Sequence, residues 1–169
     1  MCYSVNVGDS RAILSYNSGK NVDPLSRDHK PSDVNEYNRI ISSGGQVYQT
    51  TTAQSVDDST QKSKSKDRKE GYSDEPEFIV GPIRVLPGRL SVSRTFGDPE
   101  AKLAWRGGNI NVVMAEPEIR EFKITKHHDF IVLASDGVFD KMSNFDICRC
   151  VWDSCDTNKW QQNPTFRPA

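Results

Sequence analysis

Short apolar runs separated by polar turns predict a chain rich in β-strands. Apolar and polar residues alternate over Cys2–Val7, and Arg11–Tyr16 is a second strand candidate after a Gly-Asp-Ser turn. Phe130–Ala134 is a run of five apolar residues, which is too short for a helix and predicts a strand buried on both faces. Shorter strand candidates are Ile83–Leu86, Leu90–Ser93, Val112–Met114 and Ile119–Ile124.

Two helices are predicted from apolar residues at helical spacing. The first is capped by Ser32 or Asp33, and its predicted apolar face is Val34, Tyr37, Ile40 and Ile41. The second is capped by Ser143 or Asn144, and its predicted apolar face is Phe145, Ile147, Cys148, Val151 and Trp152. Strands and helices together predict an α+β domain over residues 1–152.

Residues 49–77 differ from the rest of the chain in composition. Only Ala53, Val56 and Tyr72 are apolar there, so the segment cannot bury enough surface to offset its ordering entropy. The pattern predicts a flexible polar insertion. Its basic run Lys62–Lys66 is more typical of a solvated loop than of a contact with an acidic partner or a phosphorylation target. Residues 153–169 show no pattern and predict an unstructured tail.

Composition and charge restrict the function classes. The 169 residues carry a formal net charge of −1, which gives no reason to expect binding to nucleic acid or to an anionic membrane. No run approaches the roughly 18 apolar residues of a membrane span. The N-terminus also lacks the apolar core of a signal peptide. We therefore expect a cytoplasmic or nuclear protein without a membrane span.

Three of the four cysteines, Cys148, Cys150 and Cys155, are close together in the chain. A structural zinc site would need a second pair of ligands, and the nearest histidines, His127 and His128, do not supply one at the usual spacing. Reduced thiols on a helix are therefore favoured over a zinc site.

Two acidic residues follow the apolar run Phe130–Ala134. Asp136 precedes Gly137, which permits a sharp turn, and Asp140 comes four positions after Asp136. Carboxylates about 4–6 Å apart repel by roughly 3–4 kcal/mol at an effective dielectric constant near 20, and a bound cation would remove that repulsion. From these residues alone, a strand with a solvated acidic turn remains favoured over a cation site.

Three longer segments resemble the metal-dependent protein serine/threonine phosphatases of the protein phosphatase 2C (PPM-type) family. They are Val5–Arg11 (VNVGDSR), Gly88–Asp98 (GRLSVSRTFGD) and Ala134–Asp140 (ASDGVFD). Two intervening blocks, Asp28–Pro31 (DHKP) and Ala115–Ile119 (AEPEI), also match. All five segments occur in the family's order, and the resemblance covers most of residues 5–152.

The resemblance implies a partial αββα sandwich, in which two antiparallel β-sheets are flanked by helices. It implies hydrolysis of phosphoserine and phosphothreonine esters in a phosphoprotein substrate, by a water molecule that Mg²⁺ or Mn²⁺ activates. It also implies a monomer when the domain is complete. The polar insertion at residues 49–77 corresponds to the family's flap region, so we expect it to adjust substrate access.

The resemblance also suggests roles for individual residues. Asp136 matches a core metal ligand, and Asp9 and Asp140 match the acids that hold a third, more weakly bound ion together with it. No protein nucleophile is implied. His29 lies in a family loop, and we expect it to form hydrogen bonds rather than to act in catalysis.

Two arginines flank the segment beside the flap. Arg89 and Arg94 are each candidates for attracting phosphate, with structural pairing to Asp98 as an alternative that is at least as good.

Two motifs of the family are not found in this sequence. One is the Asp-Gly-His-Gly segment that supplies metal ligands, which is accompanied by an early phosphate-binding Arg, and the other is an Asp-Asn pair before the last strand. We therefore expect a domain truncated at both ends, which is marginally stable and has negligible turnover when isolated.

Two other functions stay open. A non-catalytic, phosphatase-like binding or regulatory module belongs to a different class. A coding sequence with no Asp-Gly-His-Gly segment upstream of Met1 would favour that alternative. A plain Ca²⁺- or Mg²⁺-binding domain is less favoured, because the sequence lacks the Asp-x-Asp-x-Asp-Gly spacing of a calcium loop.

Overall fold

The computed structural model describes residues 1–53 and 78–155 of the chain. Strands in these residues are β1 (Cys2–Asn6), β2 (Arg11–Tyr16), β3 (Asn21–Pro24), β4 (Gln46–Ala53), β5 (Phe78–Leu86), β6 (Glu118–Phe122) and β7 (His128–Ala134). Helices are α1 (Val34–Ser42), α2 (Pro99–Lys102), α3 (Asp136–Phe139) and α4 (Asn144–Ser154), with a 3₁₀ turn at Ala104–Arg106. The prediction of an α+β chain is confirmed.

The strands form three antiparallel sheets. Strand β2 is the centre of the order β3-β2-β7, with Leu14 opposite both Asp23 and Ile131. Strand β1 pairs with β6, placing Val5 opposite Ile119, although β2 is its neighbour in the chain. Strands β4 and β5 form the third sheet. The antiparallel sheets agree with the predicted fold class.

Local turn chemistry explains the connection between β2 and β3. Asn17 and Ser18 have φ angles of 57° and 58°, and Gly19 has a φ angle of 75°. Asn and Gly tolerate this left-handed region better than most residues, so the chain reverses directly after Tyr16. The sequence Asn17-Ser18-Gly19-Lys20 is itself a hairpin signal, and β2 and β3 form the hairpin that it predicts.

Three apolar clusters hold the elements together. Ala12 and Leu14 on one face of β2 pack with Leu25, and Phe122 of β6 packs against this cluster. Ile13 on the other face of β2 packs with Ile147 and other residues of α3, α4 and β7. A third cluster lies under α1 and the β4–β5 sheet, and its buried members are Ile40, Val85, Ala101, Val112 and Val113.

Strand β7 differs from its prediction. Its burial alternates along the strand, and the side chain of Leu133 is 77% exposed. Only one face, which carries Phe130 and Val132, packs against the cluster of Ile13 and α4. The expectation of burial on both faces was wrong because a continuous apolar run does not show how many layers cover the strand.

The buried face of α1 also differs from its prediction. Val34, Tyr37 and Ile41 are exposed, whereas Ile40 and the charged Glu36 are buried. The helix begins as predicted, because the carboxylate of Asp33 accepts hydrogen bonds from the backbone N–H groups of residues 35 and 36.

The boundaries of the polar insertion and the tail need correction. Residues 49–53, assigned to the insertion, belong to β4 and pair with β5, where Thr51 lies opposite Val80. Helix α4 continues through Asp153 to Ser154, past the predicted end of the domain. The remaining parts of both predictions, residues 54–77 and 156–169, lie outside the described residues.

Two predicted strands are replaced by turns. Leu90 makes only an isolated bridge with Val85, and Val112 and Val113 are buried in a turn.

Within residues 1–53 and 78–155, none of the helices has the length and apolar character required to cross a bilayer.

Candidate functional site

Asp136 lies where strand β7 ends. Ser135 is extended and precedes α3, of which Asp136 is the first residue. Hydrogen bonds from the N–H groups of Val138 and Phe139 to the carbonyl of Ser135 close the turn. Because β7 is anchored in its sheet by β2, the exposed carboxylate of Asp136 is presented from a rigid strand end.

Asp9 lies in the turn between β1 and β2. The preceding residue, Gly8, has a φ angle of 113°, a conformation that side chains rarely adopt. His29 holds this turn with two hydrogen bonds. Its side-chain Nδ1 accepts from the backbone N–H of Gly8 at 3.1 Å, and the backbone N–H of His29 donates to the carbonyl of Gly8 at 3.0 Å. The side chain of His29 is buried. The predicted hydrogen-bonding role of His29 is confirmed.

Asp140 follows α3 as its C-cap residue. Nζ of Lys30 donates to Oδ1 of Asp140 at 2.8 Å. This hydrogen bond is the main reason why the pKa of Asp140 lies below its ordinary value. Asp140 is therefore already paired with a cation that the chain itself supplies.

The three predicted metal residues line a single cleft of about 430 Å³. Burial raises the pKa of Asp9, and the charge of Asp136 raises it further, while Lys30 opposes the increase. The cleft is lined by Asp9, Lys30, Pro31, Ser32, Pro82, Ile83, Ser91, Asp136 and Asp140. Asp9 thus experiences a local excess of negative charge that a cation would relieve.

The donor atoms suit a hard divalent cation, since Mg²⁺ and Mn²⁺ prefer carboxylate oxygens. The arrangement is nevertheless only part of a metal site. In the described parts of the chain, no three His, Cys, Asp or Glu side chains are grouped so that they could hold a metal ion. Asp9 and Asp136 fit a partial site, whereas the interaction of Asp140 with Lys30 competes with metal binding.

Arg94 is a structural residue in this fold. Its Nη2 donates to Oε1 of Glu36 at 2.6 Å, and its Nη1 donates to the carbonyl of Glu116 at 3.0 Å. The suggested partner, Asp98, is exposed and lies at the start of α2. Structural pairing was thus the right alternative for Arg94, but the partner is Glu36. Arg89 is exposed, and its role in attracting phosphate stays a prediction.

Glu36 is the centre of a buried polar network that the sequence did not reveal. Besides Arg94, its carboxylate accepts from Arg39 at 2.8 Å and from the Ser93 hydroxyl at 2.6 Å. Burial would raise the pKa of Glu36, but the three hydrogen-bond partners outweigh burial and lower it to about 2. The network joins α1 to the segment that precedes α2.

Lys30 is the second residue that sequence reasoning missed. It belongs to the Asp28–Pro31 block that matches the family, so the block held a signal for it. Its contact with Asp140 joins positions 110 residues apart, which no local pattern predicts.

The cysteines agree with the prediction of reduced thiols. Cys148 is buried in the apolar cluster beneath α4, and Cys150 and Cys155 are exposed. All of them are free.

Comparisons with known proteins identify relatives of this chain. The family model described as "Protein phosphatase 2C" matches residues 2–165. The chain is 34% identical over 139 residues to the "Probable protein phosphatase 2C 2" of Arabidopsis thaliana. The aligned region covers 82% of this chain and 26% of that relative. It is 33% identical over 150 residues to "Protein phosphatase 1B" of Bos taurus, covering 88% of this chain and 24% of that relative.

Solved structures share the fold. A phosphatase from a pathogenic strain of Toxoplasma gondii is similar with a TM-score of 0.55 and 29% identity, covering 96% of this chain and 38% of that one. The chain spans about a quarter of the length of the two curated relatives that it matches.

Proposed function

Because the chain belongs to the protein phosphatase 2C family, we propose that it acts in the hydrolysis of phosphoserine and phosphothreonine esters in proteins. The proposed site is the cleft of Asp9, Asp136 and Asp140, with Mg²⁺ or Mn²⁺ as the cofactor. The observation that carries the proposal is that these acids, from two separate turns of the chain, line one cleft together with Lys30.

The chemistry of the cleft supports a role in phosphoester hydrolysis. A bound divalent ion supplies Lewis-acid chemistry, which turns a water molecule into a nucleophile at neutral pH. The chain's part is to hold that ion through Asp136 and Asp9, whose carboxylates come from a strand end and a glycine turn. Lys30 adds a positive charge at the wall of the cleft, where it would attract the anionic phosphoester.

Substitution of Asp136 tests the proposal. Asp136→Asn preserves the shape of the side chain but removes its charge. In a domain supplied with the Asp-Gly-His-Gly segment and the Asp-Asn pair, we expect Mn²⁺-dependent hydrolysis of a phosphothreonine peptide to fall at least about a hundredfold. Asp153→Asn is the matched control, because Asp153 is exposed on α4. Full activity of Asp136→Asn at ordinary Mn²⁺ concentrations would contradict the metal-ligand role of Asp136.

A second function is favoured by one observation. In the described residues no three ligands are grouped to hold a metal ion, which is what a non-catalytic, phosphatase-like binding module would show. That alternative predicts that a phosphopeptide binds, with or without Mn²⁺, and is released unchanged. Phosphate release by the wild-type protein, lost in Asp136→Asn, would exclude it.

A further inference from the structure

The cleft lined by Asp9, Asp136 and Asp140 is called the carboxylate cleft below. A second cleft of about 550 Å³ adjoins it. It lies between the loop that follows β3, strand β6 and the beginning of α4. Lys30 and Ser32 line both clefts, so the two clefts are neighbours on the surface. A polypeptide whose phosphorylated residue occupied the first cleft would have its neighbouring residues within reach of the second.

Two of the three acids in the second cleft are already satisfied. Asp28 accepts two hydrogen bonds from Arg11, at 2.8 Å and 2.7 Å, which neutralise its charge. Asp33 accepts the N–H groups of Asn35 and Glu36 at the start of α1. Asp28 is therefore not available to bind a basic ligand without breaking an existing contact, and Oδ1 of Asp33 is already engaged.

Two arginines of the second cleft are less fully engaged. The side chain of Arg27 is 50% exposed, and its guanidinium lies 4.0 Å from Asp33 and 3.8 Å from Glu118. Both distances are longer than a hydrogen bond. Arg120 is exposed and donates to the carbonyl of Pro24, which holds its guanidinium at the wall of the cleft. Arg27 can thus exchange two weak ion pairs for one directly bonded carboxylate.

We propose that the second cleft binds an acidic side chain of the substrate polypeptide, close in sequence to the phosphorylated residue. Arg27 supplies a planar pair of donors that matches a carboxylate, and Arg120 adds a second positive charge. Glu118, whose side chain is 37% exposed, would repel such a ligand. In the free protein the guanidinium of Arg27 lies near this carboxylate. The inference rests on the proposed function for the location of the phosphoester.

Peptides that differ in one position test the charge preference. A phosphothreonine peptide with a neutral background receives a single Asp, moved one position at a time along both sides of the phosphorylated residue. We expect one or two adjacent positions to tighten binding about two- to fivefold, as measured by fluorescence anisotropy. A Lys at the same positions should weaken binding, and both effects should shrink at high salt.

Two variants locate the effect. Arg27→Ala and Arg120→Ala should each remove most of the preference for the Asp peptide while leaving the neutral peptide's affinity unchanged. Arg149→Ala is the matched control, because Arg149 is an exposed arginine on α4 that pairs with Asp146. A preference for Asp that survives in the Arg27→Ala, Arg120→Ala double variant would overturn the proposal, as would equal binding of the Asp, Lys and neutral peptides.

A separate readout keeps this proposal distinct from the proposed function. A small aryl phosphate lacks the neighbouring residues that would enter the second cleft, so its Mn²⁺-dependent hydrolysis should be the same in Arg27→Ala as in the unsubstituted protein. If a domain supplied with the Asp-Gly-His-Gly segment and the Asp-Asn pair does not hydrolyse the aryl phosphate, the proposed enzymatic function fails. The charge preference in peptide binding would still decide whether the second cleft recognises an acidic residue.

Discussion

Nζ of Lys30 lies 2.8 Å from Oδ1 of Asp140, and this ion pair forms a wall of the carboxylate cleft. Lys30 follows the buried His29, whose carbonyl accepts a hydrogen bond from the Ser93 N–H. The lysine is thus positioned by a loop that is anchored on both the Gly8 turn and Ser93. Its ammonium group lies beside Asp140, in the space that a divalent ion bound to Asp140 would need.

Removal of Lys30 should strengthen metal binding. In Lys30→Met the aliphatic length is preserved, but Asp140 loses its paired cation and Asp9 loses a nearby positive charge. We expect Mn²⁺ to bind roughly two- to fivefold more tightly, measured by isothermal titration calorimetry. Lys123→Met, at an exposed position after β6, is the control. Unchanged or weaker Mn²⁺ binding in Lys30→Met would show that Lys30 does not compete for Asp140.

The Glu36 network should make the fold sensitive to acid. The pKa of Glu36 is lowered from 4.5 to about 2, so the folded state binds its proton less readily than the unfolded state. Its contribution to the free energy of unfolding is therefore complete above about pH 4.5 and is lost as the pH falls towards about 2. The expected loss is about 3 kcal/mol, and urea unfolding at a series of pH values measures it.

The corresponding variant is Glu36→Gln. It leaves Arg94 and Arg39 without their buried carboxylate, and we expect the free energy of unfolding at pH 7 to fall by about 3 kcal/mol. The dependence on pH between about 4.5 and 2 should flatten as well. Glu100→Gln, at an 80% exposed side chain, should behave like wild type. A Glu36→Gln protein with unchanged stability would contradict the importance of the network.

His29 should produce a second pH dependence, at higher pH. Burial lowers the pKa of His29 from its ordinary value of 6.5, and the charge of Arg94 lowers it further. As the pH falls, the unfolded state therefore binds this proton before the folded state does. The contribution of neutral His29 to the free energy of unfolding is fully present above about pH 6.5 and is lost as the pH falls below that value.

The variant His29→Asn separates this titration from the hydrogen bond. An Asn side-chain oxygen can accept from the Gly8 N–H in place of Nδ1, but it does not titrate. We expect the slope of stability against pH just below 6.5 to decrease in His29→Asn. His127→Asn, at an exposed position, should retain the wild-type slope. Equal slopes in all three proteins would show that His29 does not cause the dependence.

Arg11 should not tolerate replacement by lysine. Its guanidinium bonds Asp28 through two nitrogens, donates to Asn144 at 2.8 Å and lies 4.8 Å from the ring centre of Phe139. Lysine cannot reproduce this planar fork, so we expect Arg11→Lys to lower the free energy of unfolding by about 1–2 kcal/mol.

Chemical denaturation of two variants tests the role of Arg11. Arg149→Lys is the matched control, because the pair of Arg149 with Asp146 is exposed and should change stability by less than about 0.5 kcal/mol. Similar values for Arg11→Lys and Arg149→Lys would contradict a special role for the Arg11 guanidinium.

Local signals predicted the elements well. The hairpin after Tyr16 and the caps at Asp33 and Ser143 depend on residues a few positions apart, so the sequence contains their complete cause. The partner of β1 was not predicted, since the pairing of Val5 with Ile119 joins distant parts of the chain. Burial was predicted less well for the same reason, as the 77% exposure of Leu133 shows.

The residues of the candidate site were likewise predicted only in part. Asp9, Asp136 and Asp140 were singled out from motifs, and the structure places all three at one cleft, while their role as metal ligands stays a prediction. Lys30 and Glu36 were not recognised as important. The effects of both depend on partners more than 50 residues away, and charge patterns along a sequence do not show such pairs.

By itself, the sequence determined the secondary structure around the turns, the family to which the chain belongs and the acids at two strand ends. These features follow from short-range backbone preferences and from motifs a few residues long. Only the tertiary structure decided which faces are buried, that Glu36 rather than Asp98 neutralises Arg94, and that Lys30 pairs with Asp140. Burial and ion pairing depend on how distant segments pack, because desolvation and Coulomb energies are set by three-dimensional distance.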